Sequence, residues 1–437
     1  MSTTNGETAL TVKELEHHGA TSHEVYRAGF YDNAWDYTVR SILGRAPRGG
    51  SEPGEVLAAI ADVRPKDHRA WFSAWVSLGE RVTAIAGASA AAGHRVSAAR
   101  AYLRAANYLA VAVEAIDGLD DDTDQLLPTF RKHRAAWEGF VANVRWSVER
   151  VDIPYEGGSM PGWFFTPYGS QNCATETGGA DRVTKRPTLV MNNGSDGSIS
   201  GDWCEGAEGA LERGYNVLLF DGPGQQSMLF ERDIPFRHDW EKVLTPVADF
   251  LLAREDVDPA RLTAYGVSQA GYWVTRALAF EHRFAAAILD GGVIDISRSW
   301  FANVPHMVLS DYLKGDKAKF DRDMAFGMRM PGGTAVRATW EFRARPYGVT
   351  GYSAVLDEVS KYVITPEIAG SITTPLYITD ADGDQFFPGQ SADLAALVPG
   401  STLVRFTQAE GASYHCQPLG RELTEQRMFD WLDERIG

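Results

Sequence analysis

The 437-residue chain predicts an α/β fold, a mostly parallel sheet flanked by helices, with an N-terminal helical domain and a helical lid inserted between strands six and seven. Three observations predict it. Short apolar runs at 188–192, 217–221, 262–266, 286–290, 376–380 and 403–407, several of them separated by helical stretches, have the character of buried parallel strands. Residues from about 54 to 150 instead carry long alanine-rich windows, such as 84–92 and 97–116, with apolar residues at helical spacing and few Gly or Pro breakers. The pattern changes near residue 150, which divides the chain into an N-terminal helical cap, 1–150, and an α/β domain, 151–437.

The elements follow in order. Residues 151–155 and 162–166 alternate like paired edge strands, the first two of a mixed sheet. The segment 168–186 is polar, rich in Gly and Thr and without periodicity, which predicts a mobile surface loop. After it the strand and helix rhythm begins. The stretch at about 297–370 is rich in aromatic residues and methionine (Trp300, Phe301, His306, Met307, Met324, Met328, Met330, Trp340, Phe342) and reads as the lid. Such stripes pack more often than they bind, although methionine also suits adaptable binding surfaces.

Composition removes several function classes. Lys and Arg number 42 against 58 Asp and Glu, a formal net charge of -16, and no dense Lys/Arg cluster is present, so nucleic acid is not an expected partner. Residues 1–19 are polar and lack an apolar signal core, so no membrane association is expected and a cytoplasmic protein is. Cys173, Cys204 and Cys416 are too few and scattered for a disulfide framework and read as free thiols. His17, His18 and His23 lie in a polar stretch without an H-E-x-x-H or Cys partner, so no metal is expected. Asp221-Gly222-Pro223-Gly224 is a glycine loop, but neither G-x-G-x-x-G nor G-x-x-x-x-G-K occurs, so no nucleotide site and no cofactor are expected.

The chemistry concentrates in the C-terminal half. Gly266-Val267-Ser268-Gln269-Ala270-Gly271 leaves an apolar run and enters a helical one. A serine at such a strand-to-helix turn is pushed outward with its hydroxyl exposed, and small neighbours let the backbone turn sharply. Alanine stands at 270, where G-x-S-x-G has its second glycine, and glycine follows one place late at Gly271. An activated serine needs a base and an acid that orients it, in the chain order Ser, Asp or Glu, His for this architecture. Asp384, in the acidic turn Asp380-Ala381-Asp382-Gly383-Asp384 after the strand at 376–380, is the expected acid, and His415, before the last helix, the expected base. Asp290, ending the sixth strand, is the alternative acid. A calcium loop across Asp380, Asp382 and Asp384 fails, since Gln385 stands where glycine is needed and Ser391 where the bidentate glutamate is needed. For the oxyanion, the residue after the nucleophile, Gln269, supplies one backbone N–H. The loop Asn192-Asn193-Gly194-Ser195-Asp196 supplies the other, from Ser195 or alternatively Asp196.

With these motifs the chain resembles the α/β-hydrolase branch that includes 2,6-dihydroxypseudooxynicotine hydrolase, the fungal hydrolases that shorten polyketide pigment precursors, and the fermentation-respiration switch esterases. The resemblance rests on Gly93-His94 with the helical run 97–108, on Asp221-Gly222-Pro223-Gly224-Gln225, on Gly266-Val267-Ser268 with Gly271-Tyr272, and on Glu410-Gly411-Ala412 with His415-Cys416. It implies a serine hydrolase roofed by an N-terminal helical cap, often a homodimer, acting on a small-molecule carbonyl substrate. It further implies hydrolysis of a carbon–carbon bond beside a ketone in a β-dicarbonyl or aryl-ketone compound. Ester, thioester or lactone hydrolysis or acyl transfer by the same residues, and a silent binding protein that kept the fold, are the alternatives.

Overall fold

The computed structural model describes residues 29–31, 34–119, 121–167, 184–330 and 333–437. His17, His18, His23, Cys173, and the loop expected at 168–186 except for its last three residues lie outside the described residues.

The N-terminal region is helical, as the alanine-rich windows predict, with α1 (Ala34–Gly44), α2 (Pro53–Ile60), α3 (His68–Ala91), α4 (Arg95–Glu114) and α5 (Asp122–Asn143). The Asp67 side chain accepts the Ala70 N–H and caps the start of α3, while Gly93, at φ +79°, ends it in the left-handed conformation that glycine adopts without a Cβ penalty. Helix α4 lies between α3 and α5 and, from Ala101 onward, is buried almost all round. Its alanines explain how, since small side chains let two helices approach a third.

Eight strands follow: β1 (Ser147–Tyr155), β2 (Gly158–Thr166), β3 (Arg186–Asn192), β4 (Asn216–Phe220), β5 (Val257–Val267), β6 (Ala286–Asp290), β7 (Leu376–Ala381) and β8 (Thr402–Phe406). They form one sheet in the order β1-β2-β4-β3-β5-β6-β7-β8, antiparallel as far as the β2–β4 pair and parallel beyond. Two expectations need correction. Strand β2 is not an edge: Trp163, Phe164 and Phe165 are all buried, because β2 pairs with β4 as well as β1 and both of its faces are covered. Arg186 belongs to β3, where it pairs with Val257, and not to the preceding loop.

Side-chain alternation along the strands divides the interior into two cores. On β5, Tyr265 and Val267 face a core shared with α1 to α5, while Leu262 and Ala264 face the other. The helical region is joined to the sheet through Trp203, whose ring meets Phe140 of α5 at 4.8 Å and Phe165 of β2 at 5.0 Å. The second face is covered by two helices, Glu241–Leu252 and Ala270–Leu278, and by the insert. The insert is helical as expected, with helices Ser297–Ala302, His306–Leu313, Lys317–Gly327, Gly333–Ala344 and Tyr352–Val359. Its methionines divide between roles: Met324 and Met328 are buried, Met307 and Met330 exposed.

Candidate active site

Strand β5 delivers Ser268 at its carboxyl end, the edge of an open α/β sheet where ligands bind. Ser268 sits at φ +58°, a left-handed conformation that is costly for a non-glycine residue. Its surroundings hold it there: the Ser268 N–H donates to the Asp290 carbonyl at 2.5 Å, and the Gly271 N–H donates back to the Ser268 carbonyl at 2.8 Å. The late glycine has a steric reason. A Cβ at Gly271 would stand 1.9 Å from the Gly291 carbonyl oxygen, and one at Gly266 would stand 2.5 Å from that of Ala270. Position 270, buried at the start of its helix, accommodates a methyl group.

The loops after β7 and β8 meet over this serine. His415 Nε2 lies 2.9 Å from Ser268 Oγ, and Nδ1 lies 2.8 Å from Asp384 Oδ2. With the proton on Nδ1 donated to the carboxylate, Nε2 is left to accept the serine hydroxyl. Asp384 is fixed by the backbone N–H groups of Phe386 and Phe387, which donate to Oδ1 at 2.9 and 2.8 Å. Burial would raise the Asp384 carboxyl, but its interaction and hydrogen bond with His415, with those two N–H groups, hold it below its ordinary value. The His415 side chain is 2% exposed. The rings of Phe386 and Phe387 pack against it at 5.2 and 5.5 Å, and Tyr37 of α1 donates to its carbonyl at 3.0 Å.

Asp290, the alternative acid, faces another partner. Its Oδ2 accepts from Arg421 at 2.7 Å and from Tyr265 at 3.0 Å, and its Oδ1 from Thr379 at 2.8 Å. Arg421 also donates to the Cys416 carbonyl at 2.9 Å, next to His415, so this buried pair ties the histidine loop to the strand end behind the serine.

The oxyanion candidates flank the serine. A Cβ at Gly194 would lie 2.9 Å from Ser268 Cβ and 3.0 Å from the Val267 carbonyl, so glycine lets the loop after β3 approach this closely. Among the described residues neither the Gln269 nor the Ser195 backbone N–H donates to a backbone carbonyl. Gln225 holds the loop from the other side, its amide donating to the Asn193 carbonyl at 2.6 Å. The insert reaches both flanks: Arg343 pairs with Asp196, and Tyr347 donates to Gln269 Oε1 at 3.4 Å.

Tyr37, Gln225, Arg343, Phe386, Phe387 and Arg421 are site residues that sequence reasoning did not assign. Only Gln225 left a signal, as the residue after the glycine loop. Cys204 and Cys416 are buried free thiols. Among the described residues, no group of three or more His, Cys, Asp or Glu is placed to hold a metal ion, and no helix is long and apolar enough to cross a membrane.

This sheet order, with Ser268 in a left-handed turn at the end of β5, is that of the α/β-hydrolase fold. The chain is 29% identical over 435 residues to the hydrolase LUC6 of Fusarium sp, covering 95% of this chain and 98% of that one. It is 28% identical over 428 residues to the 20-hydroxy-prefusarin hydrolase FUS2 of Gibberella moniliformis, covering 94% and 97%. The crystal structure of 2,6-dihydroxy-pseudo-oxynicotine hydrolase superposes with a TM-score of 0.68 at 22% identity, over 90% of this chain and 95% of that one. No family model matches the chain. The protein is thus a hydrolase, and its fold is that of the α/β-hydrolases.

Proposed function

We propose that the protein is a serine hydrolase in which Ser268 is the nucleophile, His415 the general base and Asp384 the group that orients it. The observation that carries this reading is the continuous relay from Ser268 Oγ through His415 to Asp384, with links of 2.9 and 2.8 Å. Ser268 Oγ attacks a substrate carbonyl carbon as its proton passes to His415 Nε2. The resulting oxyanion takes hydrogen bonds from the N–H groups of Gln269 and Ser195. Collapse re-forms the carbonyl and breaks the bond to the leaving group, which receives the proton from His415. Water, deprotonated by the same histidine, then attacks the acyl-serine and releases a carboxylic acid.

The leaving group is a carbon atom in this proposal, as the resemblance carried by the 97–108 helix and the histidine loop implies. Expulsion of carbon requires a neighbouring carbonyl or an electron-rich aromatic ring to stabilise the carbanion, so the substrate is a β-dicarbonyl or aryl-ketone small molecule. Names among the relatives, such as 20-hydroxy-prefusarin hydrolase, fit a small-molecule substrate. A panel of 1,3-diketones, aryl ketones and aryl esters of matched size tests the assignment. Ketone cleavage to a carboxylic acid, lost in Ser268→Ala, is expected; turnover of esters alone would replace it with an esterase assignment.

A further inference from the structure

A cavity opens beside the candidate oxyanion loop, walled by that loop, the helical region, the segment after β4 and the insert, and its lining includes Glu114, His133, Ser195, Asp196, Gln226 and Arg345. Two buried polar atoms of its walls meet no partner among the described residues, His133 Nδ1 and Gln226 Oε1. Their side chains are only 1% and 7% exposed, so each omission is costly unless a ligand satisfies it. Both side chains are held from behind. His133 Nε2 lies 3.2 Å from Ser200 Oγ, and Ser200 Oγ lies 3.1 Å from Ser198 Oγ. The Gln226 amide N–H donates to the Gly197 carbonyl at 2.9 Å, which orients its carbonyl oxygen, and Gln226 holds a left-handed φ of +41° to do so.

We propose that His133 and Gln226 form a subsite for a hydroxyl group of the substrate, an alcohol, phenol or enol distant from the reacting carbonyl; this rests on the serine hydrolase reading above. A hydroxyl oxygen accepts from His133 Nδ1–H while its proton goes to Gln226 Oε1, so one group satisfies both atoms. A carboxylate carries no proton for Gln226. An ammonium cannot accept from His133. Two directions of charge agree with a neutral ligand. Burial, then Arg134 and Arg45, push His133 down to about 3, so its ring is uncharged. Burial and Asp196 push Glu114 up to about 7, with Glu205 adding to the rise and Arg45 and Arg343 opposing it. Ser195 is shared by this wall and the candidate oxyanion hole, so one substrate spans both. The assignment also gives a use to the glycine loop at 221–224, which leads into Gln226.

Paired alkyl fluorophosphonates of increasing chain length, ending in a hydroxyl or a methyl group, test this without knowledge of the scissile bond. At one chain length the hydroxyl reagent should label Ser268 about tenfold faster than its methyl twin, the discrimination expected of a buried hydrogen-bonding site. That ratio should fall to about one in both His133→Phe and Gln226→Met. A wild-type ratio near one at every length, or a ratio unchanged in both variants, overturns the subsite and leaves the nucleophile standing. Failure of both reagents to label Ser268 overturns the triad reading, and the subsite with it.

Discussion

The strain at Ser268 and the two carboxylates near it make opposite demands on substitution. Gly271 and Gly266 take the crowding of the turn, so the glycine missing at 270 is not missed. Ala270→Gly should cost at most about 1 kcal/mol in thermal unfolding and leave turnover unchanged, because it only loosens the helix start. A marked gain in turnover would show that alanine misplaces the serine. Of the two acids, Asp384 contacts His415 and Asp290 contacts Arg421. Asp384→Asn should lower kcat by about 10³ to 10⁴-fold with little change in stability, since the imidazole loses its orienting acceptor. Asp290→Asn should cost about 3 to 5 kcal/mol in denaturant unfolding, since it leaves the buried Arg421 charge without its partner. If Asp290→Asn instead removed turnover from a fully stable protein, the assignment of the two acids would be reversed.

Among the elements, the buried parallel strands were legible because both of their faces are covered, and continuous apolar runs record that. The triad candidates were legible because each follows such a strand and the chain order restricts the choice. Strand β2 was misread as an edge because its buried run of Trp163, Phe164 and Phe165 fits neither simple alternation nor an exposed face. Tyr37 and Arg421 were invisible for a different reason: Tyr37 meets the His415 carbonyl across 378 positions and Arg421 meets Asp290 across 131, and no local spacing encodes such pairings. The contact between α5 and the sheet is testable at this scale. Trp203→Ala removes the ring between Phe140 and Phe165 and should cost about 3 to 5 kcal/mol, measured by urea unfolding. A loss below about 1 kcal/mol would mean that the helical region is held by other contacts.

For the whole molecule, the helical region and one face of the sheet share a single core. Tryptophan fluorescence and far-ultraviolet circular dichroism should therefore report one coincident unfolding transition, whereas two resolved transitions would separate the helical region from the sheet. Stability also has a pH signature. His133 is held at about 3 against its ordinary 6.5, so between these values the unfolded chain binds a proton that the folded one refuses. The wild type should lose stability relative to His133→Phe as pH falls through that window, and a constant difference in melting temperature would contradict it. Mass spectrometry of the intact protein and its peptides after treatment with a small fluorophosphonate, which captures an activated serine, tests whether Ser268 is the nucleophile. A single adduct on Ser268, abolished in His415→Ala, is expected; an adduct on a different serine, or equal labelling without His415, would overturn the assignment of the nucleophile.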